Sequence, residues 1–146
     1  MVALLVTGHG KFATGICSAL DLIAGKNKHI LAVDFEMEDS TDDLLMNLEA
    51  AFAKLKEVKS IVVFSDIVGG SPFKIASELK YKYMDKDKDI EIVTGTNLPM
   101  LIKAFTLMDL YNDALDMAKM VVESGKSQVL RPEFKEHRDD VGEDGI

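Results

Sequence analysis

A histidine between two glycines is the first candidate for chemistry in this sequence. The segment Thr7-Gly8-His9-Gly10 directly follows a short apolar run at residues 3–7. Because glycine has no Cβ, a partner or a phosphate can approach the backbone on both sides of the imidazole. A free imidazole nitrogen can act as a nucleophile. The pattern therefore predicts an exposed and reactive His9, and an incidental loop histidine is the alternative.

A second group of chemically suitable residues follows the apolar run at residues 61–65. Asp66 ends that run, and Gly69-Gly70-Ser71-Pro72 comes next. A carboxylate that binds one ring nitrogen of histidine fixes the tautomer and leaves the other nitrogen free to attack. Unpaired amides and the helix dipole at a helix N-terminus favour phosphate oxygens. With Ser71 as the expected cap and Pro72 at the first helical position, this segment predicts an anion site; an ordinary capped turn is the alternative.

Four short apolar runs must position these groups. The runs, at residues 3–7, 30–35, 61–65 and 90–94, are typical of buried parallel strands. Apolar residues recur at helical spacing over 12–23, over 44–55 after a cap at Ser40 or Thr41, and over 75–83. Further helices are expected over 97–107 and over 112–124, the last ended by Gly125. The pattern predicts a doubly wound α/β fold with helices on both faces of a mainly parallel sheet.

The expected strand order brings the candidate residues together. In the order 2-1-3-4, which is common for this pattern, strand one lies beside strand three, so His9 and Asp66 leave the sheet side by side. Residues 94–99 end the fourth strand at the same edge and could line the site or form an interface. Val129 and Leu130 are expected to add a short C-terminal edge strand.

Composition and charge disfavour several classes of protein. With 146 residues and 47% apolar content, residues 1–132 are expected to form one domain, followed by an acidic and mobile tail at 133–146. The formal net charge of -8 disfavours nucleic acid and anionic membranes as partners. The apolar run at residues 2–6 is too short to span a membrane, so the expected compartment is the cytoplasm.

The single cysteine and the two other histidines are weaker candidates for chemistry. A single cysteine, Cys17, excludes an internal disulfide, and nothing pairs it into a zinc pattern. His29 precedes the second strand at the opposite end of the sheet, and His137 lies in the polar tail. Neither has an evident orienting partner, and a metal hydrolase would need additional His and Asp ligands. No metal is expected.

Three motifs together resemble one known family. They are Val6-Thr7-Gly8-His9-Gly10, Asp66 followed by Gly69-Gly70-Ser71-Pro72-Phe73, and Gly95-Thr96-Asn97-Leu98-Pro99-Met100-Leu101. In this order they are similar to the enzyme IIA component of the mannose family of the phosphoenolpyruvate-dependent sugar phosphotransferase system. The combination is far more specific than any one motif.

The resemblance implies a phosphoryl carrier. His9 would accept a phosphoryl group on Nε2 from the phosphohistidine of HPr and pass it to a histidine of the cognate IIB subunit. Asp66 would hydrogen-bond the other ring nitrogen, and Gly70 with Ser71 would bind phosphate. The residues that would flank the site are Gly8, Gly10, Gly69, Asn97, Leu98 and Pro99. No metal or organic cofactor is implied.

The resemblance also implies partners and an assembly. The family is homodimeric, with a C-terminal strand that can pair across subunits, which would give Val129 and Leu130 a role. The chain is expected to be a free-standing IIA subunit whose IIB subunit and membrane components, IIC and IID, are separate proteins. Ile67 and Val68 depart from relatives that carry a hydroxyl and an aromatic residue after the acid.

Two other functions stay open at this point. A phosphoryl carrier of a dihydroxyacetone kinase system would keep the fold and the histidine, although that branch looks more like a serine-flanked histidine. A non-catalytic module that senses a phosphorylated metabolite would use the Gly69-Gly70-Ser71 turn and leave His9 unmodified.

Overall fold

Strands and helices alternate along residues 1–135, the part of the chain that the computed structural model describes. The strands are β1 (Val2–His9), β2 (Ile30–Phe35), β3 (Ser60–Ser65) and β4 (Asp89–Val93). The helices are α1 (Phe12–Ala24), α2 (Thr41–Lys54), α3 (Ser71–Met84), α4 (Leu98–Leu107) and α5 (Ala114–Ser127). Each strand coincides with a predicted apolar run, although β4 ends at Val93, one residue before the predicted end. Ser40 caps α2, as expected, in a capping box with Asp43.

The sheet has the predicted strand order. Within the described residues it contains four parallel strands in the order β2-β1-β3-β4. Residues 2–7 of β1 and all of β3 are buried, which explains their continuous apolar sequence: both faces of these central strands are covered. The register pairs Thr7 of β1 with Ser65 of β3, so His9 and Asp66 emerge at the same edge.

Two apolar clusters cover the two faces of the sheet. Leu4, Val6, Val62 and Phe64 point into the cluster built with α1, α4 and α5. Leu5 and Val63 point into the cluster built with α2 and α3. This is the doubly wound arrangement that the alternating pattern predicts, with the carboxyl ends of β1 and β3 at the centre of the sheet edge.

The predicted C-terminal edge strand is wrong for the single chain. Val129 and Leu130 lie outside any strand and are exposed. A strand needs a neighbouring strand that accepts its backbone hydrogen bonds, and no strand of the described sheet pairs with this segment.

The predicted end of the last helix at Gly125 is also wrong. Gly125 lies inside α5, which continues to Ser127. A Cβ at this position would lie 2.7 Å from Met100 Cε and 3.1 Å from Met100 Cβ. The glycine therefore allows α5 to pack closely against α4 rather than ending the helix.

The C-terminal predictions fall mostly on residues that the structure does not describe. The acidic tail at 133–146 lies outside the described residues from position 136 onward, as does His137. Among the helices of residues 1–135, none has the length and apolar character required to cross a bilayer.

Candidate active site

His9 and Asp66 form a direct contact at the carboxyl ends of β1 and β3. Asp66 Oδ2 lies 2.7 Å from His9 Nδ1 and also accepts a hydrogen bond of 2.9 Å from the backbone amide of His9. Asp66 Oδ1 accepts a bond of 2.8 Å from the amide of Ile67. When Nδ1 carries the ring proton and donates it to Asp66, Nε2 is unprotonated and its lone pair is free for nucleophilic attack.

The surroundings of Asp66 favour its ionised form. Burial alone would raise the pKa of this carboxyl, but the amide and ring of His9 and the amide of Ile67 outweigh burial and lower the pKa below its ordinary value. Asp66 is therefore a carboxylate at neutral pH. A negative charge beside Nδ1 stabilises any positive charge that the ring acquires when Nε2 forms a bond.

The reactive side of His9 is open to solvent. The His9 side chain keeps 45% of its surface exposed, whereas Asp66 keeps 13%. Gly70 lies against the same side of the ring: a Cβ there would be 2.6 Å from His9 Cε1 and 3.3 Å from Nε2. The absence of a side chain at Gly70 therefore leaves the nucleophilic nitrogen accessible.

The N-terminus of α3 begins beside this nitrogen. Gly70, not Ser71, is the N-cap, which corrects the predicted cap; Ser71 is the first residue of the helix and Pro72 follows it. No side chain caps this end, and the Gly70 carbonyl accepts the first helical bond, from Lys74. The first-turn amides of a helix have no partner within the helix, so those of α3 can bind an anion next to His9.

Three further glycines shape the turns around the site. A Cβ at Gly8 would lie 2.5 Å from Phe12 Cδ1 and 3.0 Å from Asp66 Cγ, so only glycine fits there without displacing the acid. Gly10 and Gly69 have φ values of 58° and 81°, in the left-handed region that glycine adopts without strain.

The loop after β4 holds the backbone at Asp66 and Ser65. The Gly95 amide donates to the Asp66 carbonyl at 3.0 Å, and Thr96 Oγ1 donates to the Ser65 carbonyl at 2.7 Å. Asn97 caps α4 through Met100 N at 3.0 Å, and its Nδ2 donates to the Gly125 carbonyl at 3.1 Å. The Asn97 side chain thus joins α4 to α5, and Leu98 packs against the core with Pro99 in the first turn.

Asp34 and Phe35 are neighbours of the site that sequence reasoning missed. Asp34 Oδ1 accepts a bond of 2.9 Å from the Thr14 amide, and Oδ2 accepts one of 2.6 Å from Thr14 Oγ1. The Phe35 carbonyl accepts a bond from the Gly10 amide at 2.7 Å, and its ring meets the His9 ring edge-on with centroids 6.0 Å apart. The signal available in the sequence was Asp34, a polar residue near the carboxyl end of β2.

Other chemically capable groups stand apart from this site. Burial, and to a smaller extent Asp21 and Asp34, raises the pKa of the Cys17 thiol to about 11, so the thiol is protonated and unreactive at neutral pH. Over residues 1–135 no cluster of three or more His, Cys, Asp or Glu side chains is placed to hold a metal ion.

Comparison with known proteins decides the family. The EIIA-man family model, described as the PTS system fructose IIA component, matches residues 3–122. The chain belongs to the EIIA-man family.

Individual members of this family are recognisably similar to the chain. It is 27% identical over 128 residues to the PTS system mannose-specific EIIAB component of Escherichia coli strain K12, covering 88% of this chain and 38% of that protein. It is 24% identical over 109 residues to the PTS system fructose-specific EIIA component of Bacillus subtilis, covering 75% and 72%. The chain thus spans well under half the length of the E. coli protein.

Solved structures of phosphotransferase system IIA proteins share the fold. The phosphotransferase system component EIIA from Streptococcus agalactiae superimposes with a TM-score of 0.82 at 30% identity, covering 90% of this chain and 97% of that one. The mannose/sorbose specific IIA subunit from Enterococcus faecalis gives a TM-score of 0.80 at 23% identity, covering 92% and 97%, which supports the fold alone. Both support the α/β architecture predicted from the sequence.

Proposed function

We propose that this chain is the IIA phosphoryl carrier of a sugar phosphotransferase system, with His9 as the residue that is phosphorylated. The observation that carries the proposal is the Asp66 carboxylate, held 2.7 Å from His9 Nδ1 while the Nε2 side of the ring is open. Family membership supports the general reaction, and the geometry supports the choice of atom. The donor is phospho-HPr, and the acceptor is a histidine of the cognate IIB subunit.

The transfer exchanges one nitrogen–phosphorus bond for another. The Nε2 lone pair of His9 attacks phosphorus, and the N–P bond of the donor phosphohistidine breaks, so its electron pair returns to the donor ring. The Nδ1 proton stays on His9, which becomes a positively charged N-phosphoryl imidazolium. Asp66 stabilises that charge without taking the proton, and onward transfer to IIB reverses these changes.

Backbone amides of α3 bind the transferred group. Gly70, the N-cap of α3, lies beside Nε2, and Ser71 is the first residue of the helix, where unpaired amides and the helix dipole stabilise phosphoryl oxygens. Ser71 Oγ adds a further donor. Gly8, Gly10 and Gly69 keep the turns around the ring free of side chains, and the loop at Asn97, Leu98 and Pro99 flanks the site. No metal or organic cofactor takes part.

Residues 1–132 act as one IIA domain, and the sequence at 133–146 is rich in acidic residues. The protein acts in the cytoplasm, where it exchanges phosphoryl groups with HPr and IIB. It contacts the membrane components IIC and IID only through IIB, and nucleic acid is not a partner.

The functional unit is a homodimer in which the C-terminal segment of each chain, which is not a strand in the single chain, pairs as a strand with the sheet of the other. The open edge of β4 and the neighbouring face of α5 border a groove of about 340 Å³, lined in part by Ile92, Leu115 and Val122. Val129 and Leu130, exposed after α5, provide apolar side chains for such a strand. An exposed sheet edge favours pairing with a second chain.

A reconstituted relay tests the function. Phosphoenolpyruvate labelled on phosphorus, enzyme I, HPr and the purified protein are combined, and a cognate IIB protein is then added. The proposal expects label on this chain first and on IIB only when this chain is present. Label that reaches IIB without it, or label that stays on HPr, would contradict the proposal.

A further inference from the structure

A lysine lies in the first turn of the helix that begins beside His9. Lys74 is the fourth residue of α3, and its amide donates to the Gly70 carbonyl at 2.9 Å. Helical side chains tilt toward the N-terminus of their helix and cover the turn that precedes them. The helix therefore directs the Lys74 side chain back toward Gly70 and Ser71, the residues next to the reactive nitrogen.

The Lys74 side chain shares a cleft with Ser71. The cleft has a volume of about 250 Å³, and Thr41 of α2 lies on its other wall. The end of α3 that borders this cleft also approaches the nucleophile, since a Cβ at Gly70 would be 3.3 Å from His9 Nε2. A phosphoryl group on Nε2 extends beyond the ring, so its oxygens come within reach of a long side chain anchored one turn into α3.

The positive charge of Lys74 has no structural use in the described chain. A cation near the N-terminus of a helix is disfavoured by the helix dipole, and the first turn of α3 contains no acidic residue. Asp42 and Glu78 also line the cleft, but among residues 1–135 no carboxylate lies within ion-pair distance of Lys74. By contrast, Lys11, close to His9 in sequence, lies 3.8 Å from Glu36.

Phosphorylation would place more negative charge in a site that already contains a carboxylate. Asp66 is ionised and contacts the ring of His9 at 2.7 Å. A phosphoryl group brings up to about two further negative charges. The backbone amides of α3 are neutral donors, whereas an ammonium group offers three donors and a full positive charge. A cation beside Nε2 would thus favour the phosphorylated state.

We propose that Lys74 binds the phosphoryl group carried by His9 and stabilises the phosphorylated chain. This inference rests on the proposed function and adds to it a charged side chain that binds the transferred group. Lys74 acts on phosphoryl oxygens, and no bond to it forms or breaks during transfer.

The test measures the equilibrium of transfer and not its rate. Phospho-HPr is mixed with each protein in the absence of phosphoenolpyruvate, and the phosphorylated fractions of both proteins are read by intact mass. Contacts made only while the two proteins are docked cannot change this equilibrium, because the proteins are separate before and after transfer. The variants are Lys74→Gln, Lys74→Arg and the matched control Lys82→Gln, which removes a charge from the other end of α3.

Lys74→Gln is expected to lower the equilibrium constant for uptake by about tenfold, as the loss of a hydrogen bond between charged groups does. Lys74→Arg is expected to stay within about threefold of wild type, because the guanidinium keeps the charge. Lys82→Gln is expected to match wild type. Added potassium chloride should narrow the difference between wild type and Lys74→Gln, since salt screens exposed charges.

Three results would overturn the role of Lys74. They are an unchanged equilibrium constant in Lys74→Gln, an equal loss in Lys82→Gln, and a loss in Lys74→Arg as large as that in Lys74→Gln. Thermal unfolding checks that each variant folds, and glutamine is close to lysine in helix propensity. A wild-type chain that accepts nothing from phospho-HPr would contradict the proposed function itself, which distinguishes that failure from the failure of this inference.

Discussion

Asp66 Oδ2 contacts His9 twice, at the ring Nδ1 and at the backbone amide of the same residue, at 2.7 and 2.9 Å. One oxygen therefore holds both the ring and the chain that carries it. Rotation of the imidazole would break the first contact, and displacement of the β1 end would break the second. The orientation of Nε2 toward the α3 N-terminus follows from this pair of bonds.

Replacing the carboxylate by its amide is expected to slow phosphorylation of His9. In Asp66→Asn the side chain keeps its shape but loses the charge that stabilises the phosphorylated ring. Hydrogen bonds to charged groups exceed neutral ones by roughly 1.4 kcal/mol, which corresponds to about a tenfold lower rate constant. Rapid-quench measurement with phospho-HPr checks this value, and a wild-type rate would exclude an electrostatic role for Asp66.

The same carboxylate is expected to make stability depend on acid pH. Its pKa is lowered in the folded chain, so its contribution is complete above the ordinary value of 3.8 and is lost as pH falls through the lower folded value. Asp66→Asn should reduce the free energy of unfolding by about 1–3 kcal/mol at pH 7. Urea titrations should show this difference in stability shrinking toward pH 3. A difference that stays constant with pH would refute the link between stability and protonation of Asp66.

A methyl group at Gly70 is expected to block the nucleophile without disturbing the fold. Gly70 has φ -74° and ψ 168°, which alanine adopts freely, so the added Cβ conflicts only with the His9 ring. Because a displacement of about 1 Å can cost roughly 10²-fold in rate, phosphorylation of Gly70→Ala should fall by about that factor.

Gly15→Ala provides the matched control for this substitution. Gly15 lies within α1, and a Cβ there meets no atom within 4 Å. Alanine should stabilise the helix by about 0.5–1 kcal/mol and leave phosphorylation unchanged. Thermal unfolding and phosphorylation of both variants are measured together; a Gly70→Ala protein as active as Gly15→Ala would rule out the close approach.

Removing the Asp34 side chain is expected to weaken the attachment of α1 to the sheet edge. Asp34→Ala leaves the exposed Thr14 amide and hydroxyl to water, at a cost of about 0.5–1.5 kcal/mol in unfolding free energy. The control is Asp109→Ala, which removes an exposed carboxylate from the loop after α4. Chemical denaturation compares the two variants, and equal stability would mean that the hydrogen bonds between Asp34 and Thr14 contribute nothing.

The site was predictable where chemistry and strand ends coincide. His9 and Asp66 end continuous apolar runs, and such runs indicate buried parallel strands whose carboxyl ends meet at one edge. The strand order, confirmed by the sheet, then places these two residues side by side. The cap at Ser40 was also predictable, because its reciprocal bonds with Asp43 join residues close in sequence.

Features that depend on contacts distant in sequence were not predictable. Gly125 has the local signature of a helix end, yet packing against Met100 places it inside α5. The bond between Asp34 and Thr14 joins residues twenty positions apart across a strand and a helix. Val129 and Leu130 have strand-like residues but no neighbouring strand in the described chain. In each case the outcome depends on which elements become neighbours in the fold, and local preference does not determine that.

Phosphorylation of His9 itself is tested most directly by intact mass. Wild type and His9→Ala are incubated with phosphoenolpyruvate, enzyme I and HPr, and their masses are read before and after acid treatment. The expected result is one acid-labile phosphoryl group on wild type and none on His9→Ala. An unmodified wild type, or a His9→Ala protein that still gains the group, would contradict the central role of His9.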